Sequence, residues 1–174
     1  MNEPNHTCSE ENCSAAEGGL LANSTDSLGT ALLTIDVVSD VICPWCFIGK
    51  RRLEKAFKLV GDPPGVKVNW KPFQLNPQMP AEGIERRAYR IAKFGSLEQS
   101  QVRDAQVAAA GAEEGITFAF DKMTRTPNTL DAHRLIWLAG KLGVQDAVVE
   151  LLFRGYFEEG ADLNDRQVMV RLGT

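Results

Sequence analysis

The sequence predicts an α/β chain in which a strand–helix–strand unit precedes an all-helical region. Two observations carry that prediction. Apolar residues alternate at Leu33, Ile35 and Val37, and again at Val66, Val68 and Trp70, which is the period of a strand. Between the two runs, Leu53, Ala56, Phe57 and Val60 fall at i, i+3, i+4 and i+7, one face of a helix. From Pro80 onward the periods are helical.

Taken in order, residues 1–30 are polar and small, and they bury too little apolar surface to offset their ordering entropy. They are predicted to be a disordered tail. Order is expected from Ala31. Residues 31–79 form the first unit: a strand at 33–38, then Ser39, Asp40, Val41, Ile42 and the Cys43-Pro44-Trp45-Cys46 turn into a helix. Pro44 suits a first-turn position, where its missing N–H costs nothing. Gly61 ends the helix and Pro63-Pro64-Gly65 turns the chain into the second strand. Such a strand–helix–strand run makes a right-handed parallel crossover.

Residues 80–174 form the helical region. Helices are predicted at 84–94 and 97–114, then a loop at 115–127 anchored by Phe118 and Phe120. Asn128 or Thr129 caps the next helix, whose stripe is Ala132, Leu135, Ile136, Ala139 and Leu142, with Gly143 as its stop. A further helix spans 144–159 with Val148, Leu151 and Leu152 inward, and Asp162 or Asn164 starts a last one. No internal repeat is evident.

Composition narrows the function. The 174 residues are 44% apolar and 24% charged, enough for one domain with a real core. The net charge is −4 with no basic block, so neither nucleic acid nor an anionic membrane is an expected partner. No apolar run approaches the roughly 20 residues of a membrane span. The N-terminus is acidic, and its apolar stretch is only Leu20-Leu21-Ala22, which does not read as an export signal. A cytoplasmic protein is expected. In a reducing compartment the pairs Cys8/Cys13 and Cys43/Cys46 point to catalysis, redox sensing or metal rather than structural bridges.

Cys43 carries the strongest chemical signal. The attacking species in disulfide exchange is the thiolate. A strand-to-helix junction favours negative charge there, through unpaired N–H groups and the helix dipole. Two intervening residues place Cys46 one turn on, close enough to bridge, and no acid lies between them. Cys43 is therefore expected to attack and Cys46 to resolve the mixed disulfide. Lys50, Arg51 and Arg52 are expected to be solvated. Trp45 is expected to be exposed, offering substrate a flat contact with Pro44 beside it. Zinc sites use the same cysteine spacing, and Cys8 with Cys13 would complete a four-sulfur set. The same tail pair read as an auxiliary dithiol, or as incidental, is the alternative.

Three segments carry a resemblance. They are Asp36-Val37-Val38-Ser39-Asp40-Val41-Ile42-Cys43-Pro44-Trp45-Cys46-Phe47-Ile48-Gly49-Lys50-Arg51, Trp70-Lys71-Pro72-Phe73-Gln74-Leu75-Asn76-Pro77, and Thr126-Pro127-Asn128-Thr129-Leu130-Asp131-Ala132-His133-Arg134-Leu135. Over about residues 32–172 the chain resembles the DsbA-like thioredoxin family, and within it the FrnE-type cytoplasmic dithiol–disulfide isomerases. The resemblance implies a thioredoxin-like fold with an all-helical insertion. It implies a disulfide oxidoreductase or isomerase acting on protein or small-molecule thiols. No cofactor is expected beyond the Cys43–Cys46 disulfide, with glutathione as a co-substrate. Phe73, Asn128 and His133 would lie near the groove over the cysteines. Against that, Asn128 reads simply as a cap, His133 as a packed side chain, and Phe73 and Trp70 as core.

Family members resume after the insertion with further strands, a cis-proline facing the cysteines and a closing helix. This sequence has no proline after Pro127. The expectation is a chain lacking the C-terminal strands, cis-proline loop and last helix: a fragment or truncated product of a longer enzyme, with a natural short form of impaired activity as the alternative. Its strand at 33–38 would expose an edge and favour self-association. Two other functions compete: a glutathione-dependent kappa-class transferase or 2-hydroxychromene-2-carboxylate isomerase-like enzyme, and a non-enzymatic redox-sensing or zinc-binding module. The former relatives usually carry serine where Cys43 stands.

Overall fold

Residues 33–173 are described by the computed structural model. The expectations for the tail, Cys8 and Cys13 included, lie outside the described residues. Strand β1 (Leu33–Ser39) pairs in parallel with β2 (Val66–Pro72), in register from Leu33 opposite Val66 to Ser39 opposite Pro72. Helix α1 (Pro44–Leu59) makes the crossover. The outer edge of β2 is closed by a side chain: Gln145 accepts from the Trp70 N–H at 2.9 Å and donates to its carbonyl at 3.2 Å. An amide thus takes the place of a neighbouring strand at that residue.

The predicted helix at 84–94 begins later. Ile84–Glu85 form a short strand β3, antiparallel to β4 (Arg125–Thr126), and the Glu85 carboxylate caps α2 (Arg86–Phe94) by accepting from the Arg87 and Ala88 N–H groups. Gly83 lets this pair close, because a Cβ there would lie 2.6 Å from the Thr126 carbonyl oxygen. Helix α3 (Leu97–Ala112) is capped by Ser96, whose hydroxyl accepts from Gln99. Helix α4 (Leu130–Lys141) has Thr129 at its cap position, without a side-chain cap bond. Asn128 instead accepts from the Leu130 N–H at 2.9 Å and donates to the Met79 carbonyl at 2.7 Å. Helices α5 (Gln145–Phe157) and α6 (Arg166–Gly173) follow. Asp165, not Asp162 or Asn164, accepts from the first turn of α6, at Gln167. Asn164 is engaged by the Asn128 N–H and the Ala81 carbonyl.

One core runs through the strand unit and the helical region. Phe47 stacks on Phe153 at 5.2 Å and meets Phe118 edge-on at 6.2 Å, and Trp70 meets Phe153 edge-on at 6.3 Å. Phe118 and Phe120 stack at 4.9 Å, anchoring the loop as expected. Several expected core positions are surface instead. Ala56 is exposed on α1, Val60 and Leu142 sit at helix ends past the packed region, and Leu151 points away from the Val148–Leu152–Phe153 face of α5.

Candidate active site at the start of the first long helix

Beyond Ser39 the chain turns through Asp40 and delivers Cys43 to the cap position of α1, with the Cys43 N–H donating to the Asp40 carbonyl at 3.0 Å. Pro44 occupies the first turn, and the Cys43 side chain makes no cap bond to the helix, nor does any other among the described residues. Its first N–H groups are therefore left for the sulfur. Cys43 and Cys46 are free thiols, both half-buried, 3.5 Å apart.

That spacing divides the pair electrically. The Cys46 thiol donates to Cys43, and this bond, with the Cys46 and Trp45 backbone N–H groups, holds the Cys43 thiol at about 6 against burial and the Asp40 charge. Cys46 moves the other way. Its bond to Cys43, its burial, and the charges of Cys43 and Asp40 push it far above the ordinary thiol range. The site thus offers one nucleophilic thiolate and one protonated neighbour.

Asp40 is the site residue the sequence reading missed. No acid lies between the cysteines, but Asp40 precedes them and is 1% exposed. Its Oδ2 accepts from the Leu75 N–H at 2.8 Å. Its Oδ1 lies 3.4 Å from His133 Nε2, too poorly aligned to be a hydrogen bond. His133, 7% exposed, donates from Nε2 to the Phe73 carbonyl at 3.0 Å. The structure thus places His133 behind Asp40, packed between α4 and the end of β2.

The other expected positions separate. Trp45 is 53% exposed and borders a cavity of about 380 Å³ that opens beside Cys43 and Pro44. Phe73 is 51% exposed rather than core, and neither it, Asn128 nor His133 lines that cavity. Leu75 does, together with α2 and α3. Trp70 is core, as expected.

The expected solvation of Lys50 and Arg51 is corrected. Lys50 is 3% exposed and is bound by Glu54, by Asp146 at 3.1 Å and by Glu150 at 3.2 Å. Arg51 is clamped by Glu150 and by Glu54. Arg52 is exposed yet pairs with Glu114 at 2.9 Å. The cause is α5, which lays its acidic first turns along α1. No group of three or more His, Cys, Asp and Glu is arranged to hold a metal ion among the described residues.

The family model of the DSBA-like thioredoxin domain matches residues 34–173. The chain is 32% identical to a probable DsbA oxidoreductase, SCO1869, of Streptomyces coelicolor, whose crystal structure superposes with a TM-score of 0.70 over 80% of this chain and 60% of that one. It is 23% identical to the uncharacterized protein YwbO of Bacillus subtilis (strain 168), over 79% of this chain and 63% of that protein. The chain therefore spans less than two thirds of the length of either relative.

Proposed function

The chain belongs to the family of DSBA-like thioredoxin domains, and we propose that its Cys43–Cys46 pair performs thiol–disulfide exchange. The observation that carries this reading is the divided ionisation of two sulfurs 3.5 Å apart at a helix start. With Cys43 held at about 6, about nine-tenths of it is thiolate at pH 7. The thiolate attacks one sulfur of a substrate disulfide, a Cys43–substrate disulfide forms, and the other substrate sulfur leaves as a thiolate. Cys46 then loses its proton and attacks the Cys43 sulfur, which releases the reduced substrate and leaves the Cys43–Cys46 disulfide. Two electrons pass from the protein dithiol to the substrate. The reverse sequence oxidises a substrate dithiol.

The finer reading is a FrnE-type dithiol–disulfide isomerase of the cytoplasm, acting on protein or small-molecule disulfides. It is supported by the three sequence segments quoted above and by a site whose reduced form is already poised for attack.

The test is alkylation of reduced protein across pH 4–9, with the modified cysteine mapped by mass spectrometry. Cys43 should react first. Its rate should be flat above pH 7 and half-maximal near pH 6, then fall about tenfold per unit below that as the thiolate is lost. Cys43→Ser should abolish exchange, and Cys46→Ser should accumulate the mixed disulfide. A midpoint near 9, or exchange that survives Cys43→Ser, defeats the reading.

A further inference from the structure

The cavity beside Cys43 has an unusual electrical character for this chain. The protein carries a net charge of −4, yet the wall facing Cys43 and Trp45 presents Arg86, Arg90, Lys93 and Arg103 against a single carboxylate, Asp104. Asp104 serves two of them, accepting from Arg86 at 2.9 Å and from Arg90. Arg90 is further fixed by Ser100, through its hydroxyl at 2.8 Å and its carbonyl at 3.1 Å, and its guanidinium lies 4.4 Å over the Phe94 ring. Lys93 donates to the Tyr89 hydroxyl at 2.9 Å and has no acid partner among the described residues. The Arg103 guanidinium has neither an ion pair nor a hydrogen bond among the described residues. Among the described residues, four cations and one anion leave an excess of three positive charges in a concave site of small-molecule size.

We propose that this cavity recognises the carboxylates of small anionic disulfides and presents their S–S bond to Cys43. The proposal rests on the exchange chemistry above and names its substrate class. Confinement between partly apolar walls strengthens the field of the cations and raises the local concentration of anions, while neutral and cationic disulfides gain nothing. The floor of the cavity, with Phe120 and Tyr156, suits the apolar stem of such a substrate. The covalent step is the same exchange: the Cys43–substrate disulfide forms, the substrate S–S bond breaks, and a carboxylate-bearing thiolate leaves. Each protein dithiol oxidised reduces one substrate disulfide.

Single-turnover oxidation of the reduced protein at pH 7 tests this with three probes: dithiodiglycolate, bis(2-hydroxyethyl) disulfide and cystamine. Each rate is divided by that of the same probe with a small free thiol, which removes intrinsic reactivity. Dithiodiglycolate should lead the neutral probe by about tenfold or more, and cystamine should trail. The lead should shrink as salt rises from low ionic strength to about 1 M, where charges are screened over about 3 Å. Lys93→Glu and Arg103→Glu should each cut the ratio of anionic to neutral rate severalfold. The ratio cancels any change in Cys43 ionisation. Equal normalised rates for the three probes, or a lead indifferent to salt, overturn the proposal while leaving exchange intact. Failure of Cys43 to react with any probe overturns the exchange reading and this proposal together.

Discussion

At Cys43 three donors compete with two opposing effects, and the donors win. The thiol of Cys46 contributes most, burial resists, two backbone N–H groups add support, and the Asp40 charge opposes. Asp40 also pushes Cys46 up. Its carboxylate is therefore a brake on both sulfurs rather than part of the stabilising set. Asp40→Asn keeps an oxygen for the Leu75 N–H and removes the charge. The alkylation midpoint of Cys43 should then move to lower pH. A midpoint that moves up instead would show that Asp40 supports the thiolate by some other route. Cys46 should also ionise more easily in this variant, so release of a mixed disulfide should quicken or hold steady.

Helices α1 and α5 meet through charge as well as through rings. Lys50 lies inside that contact, and burial alone would lower its ammonium. The Glu54 bond and the charges of Asp146 and Glu150 outweigh burial and raise it. Burial likewise works against Glu150, and Arg51 with Lys50 reverses it, holding that carboxyl below the usual range. Asp146 also accepts from the Trp70 indole N–H at 3.0 Å, which ties β2 to the same cluster. Lys50→Met would leave three carboxylates with Arg51 as the remaining cation, bound to Glu54 and Glu150 but not to Asp146. A fully buried pair broken in this way costs about 3–5 kcal/mol. Here Glu54 and Asp146 reach solvent, so the expected loss is about 2–3 kcal/mol. Urea unfolding should show it as a lower midpoint with an unchanged slope. A loss under about 0.5 kcal/mol, the scale of a surface pair, would contradict the buried placement.

The molecule as a whole depends on the aromatic cluster around Phe47. This ring stands next to Cys46 in the chain, and its neighbours Phe118, Phe153 and Phe157 come from the loop and from α5. The strand unit and the helical region consequently share one core. Phe47→Ala should cost about 3–5 kcal/mol, the range for removing a buried ring. Far-UV circular dichroism, which follows the helices, and the fluorescence of buried Trp70 should lose their signals at one midpoint. Two separated transitions would mean that the regions unfold independently.

The sequence by itself determined the α/β layout, the order of its long elements and the placement of Cys43 at a helix start. These features are local: the alternation at 33–37 sets a strand face, Pro44 admits the first turn, and the cysteine spacing equals about one turn. The starts expected after Cys43, at 97 and after Asn128 or Thr129 were legible in the chain. The starts expected at 84 and at Asp162 or Asn164 were not, because Ile84–Glu85 pair with β4 and Asn164 is engaged by the Asn128 N–H and the Ala81 carbonyl. The tertiary structure decided whatever depends on distance through space. It set the opposed ionisation of the two sulfurs and the burial of Lys50 by acids from α5. It packed His133 behind Asp40 and withdrew Phe73 from the core. It also gathered cations from α2 and α3 beside Cys43. The i, i+4, i+7 spacing of Arg86, Arg90 and Lys93 puts them on one face of α2, but only packing decides what that face looks upon. Charge interactions are set by separation and by the medium between the groups, and neither is encoded in the spacing of residues along the chain.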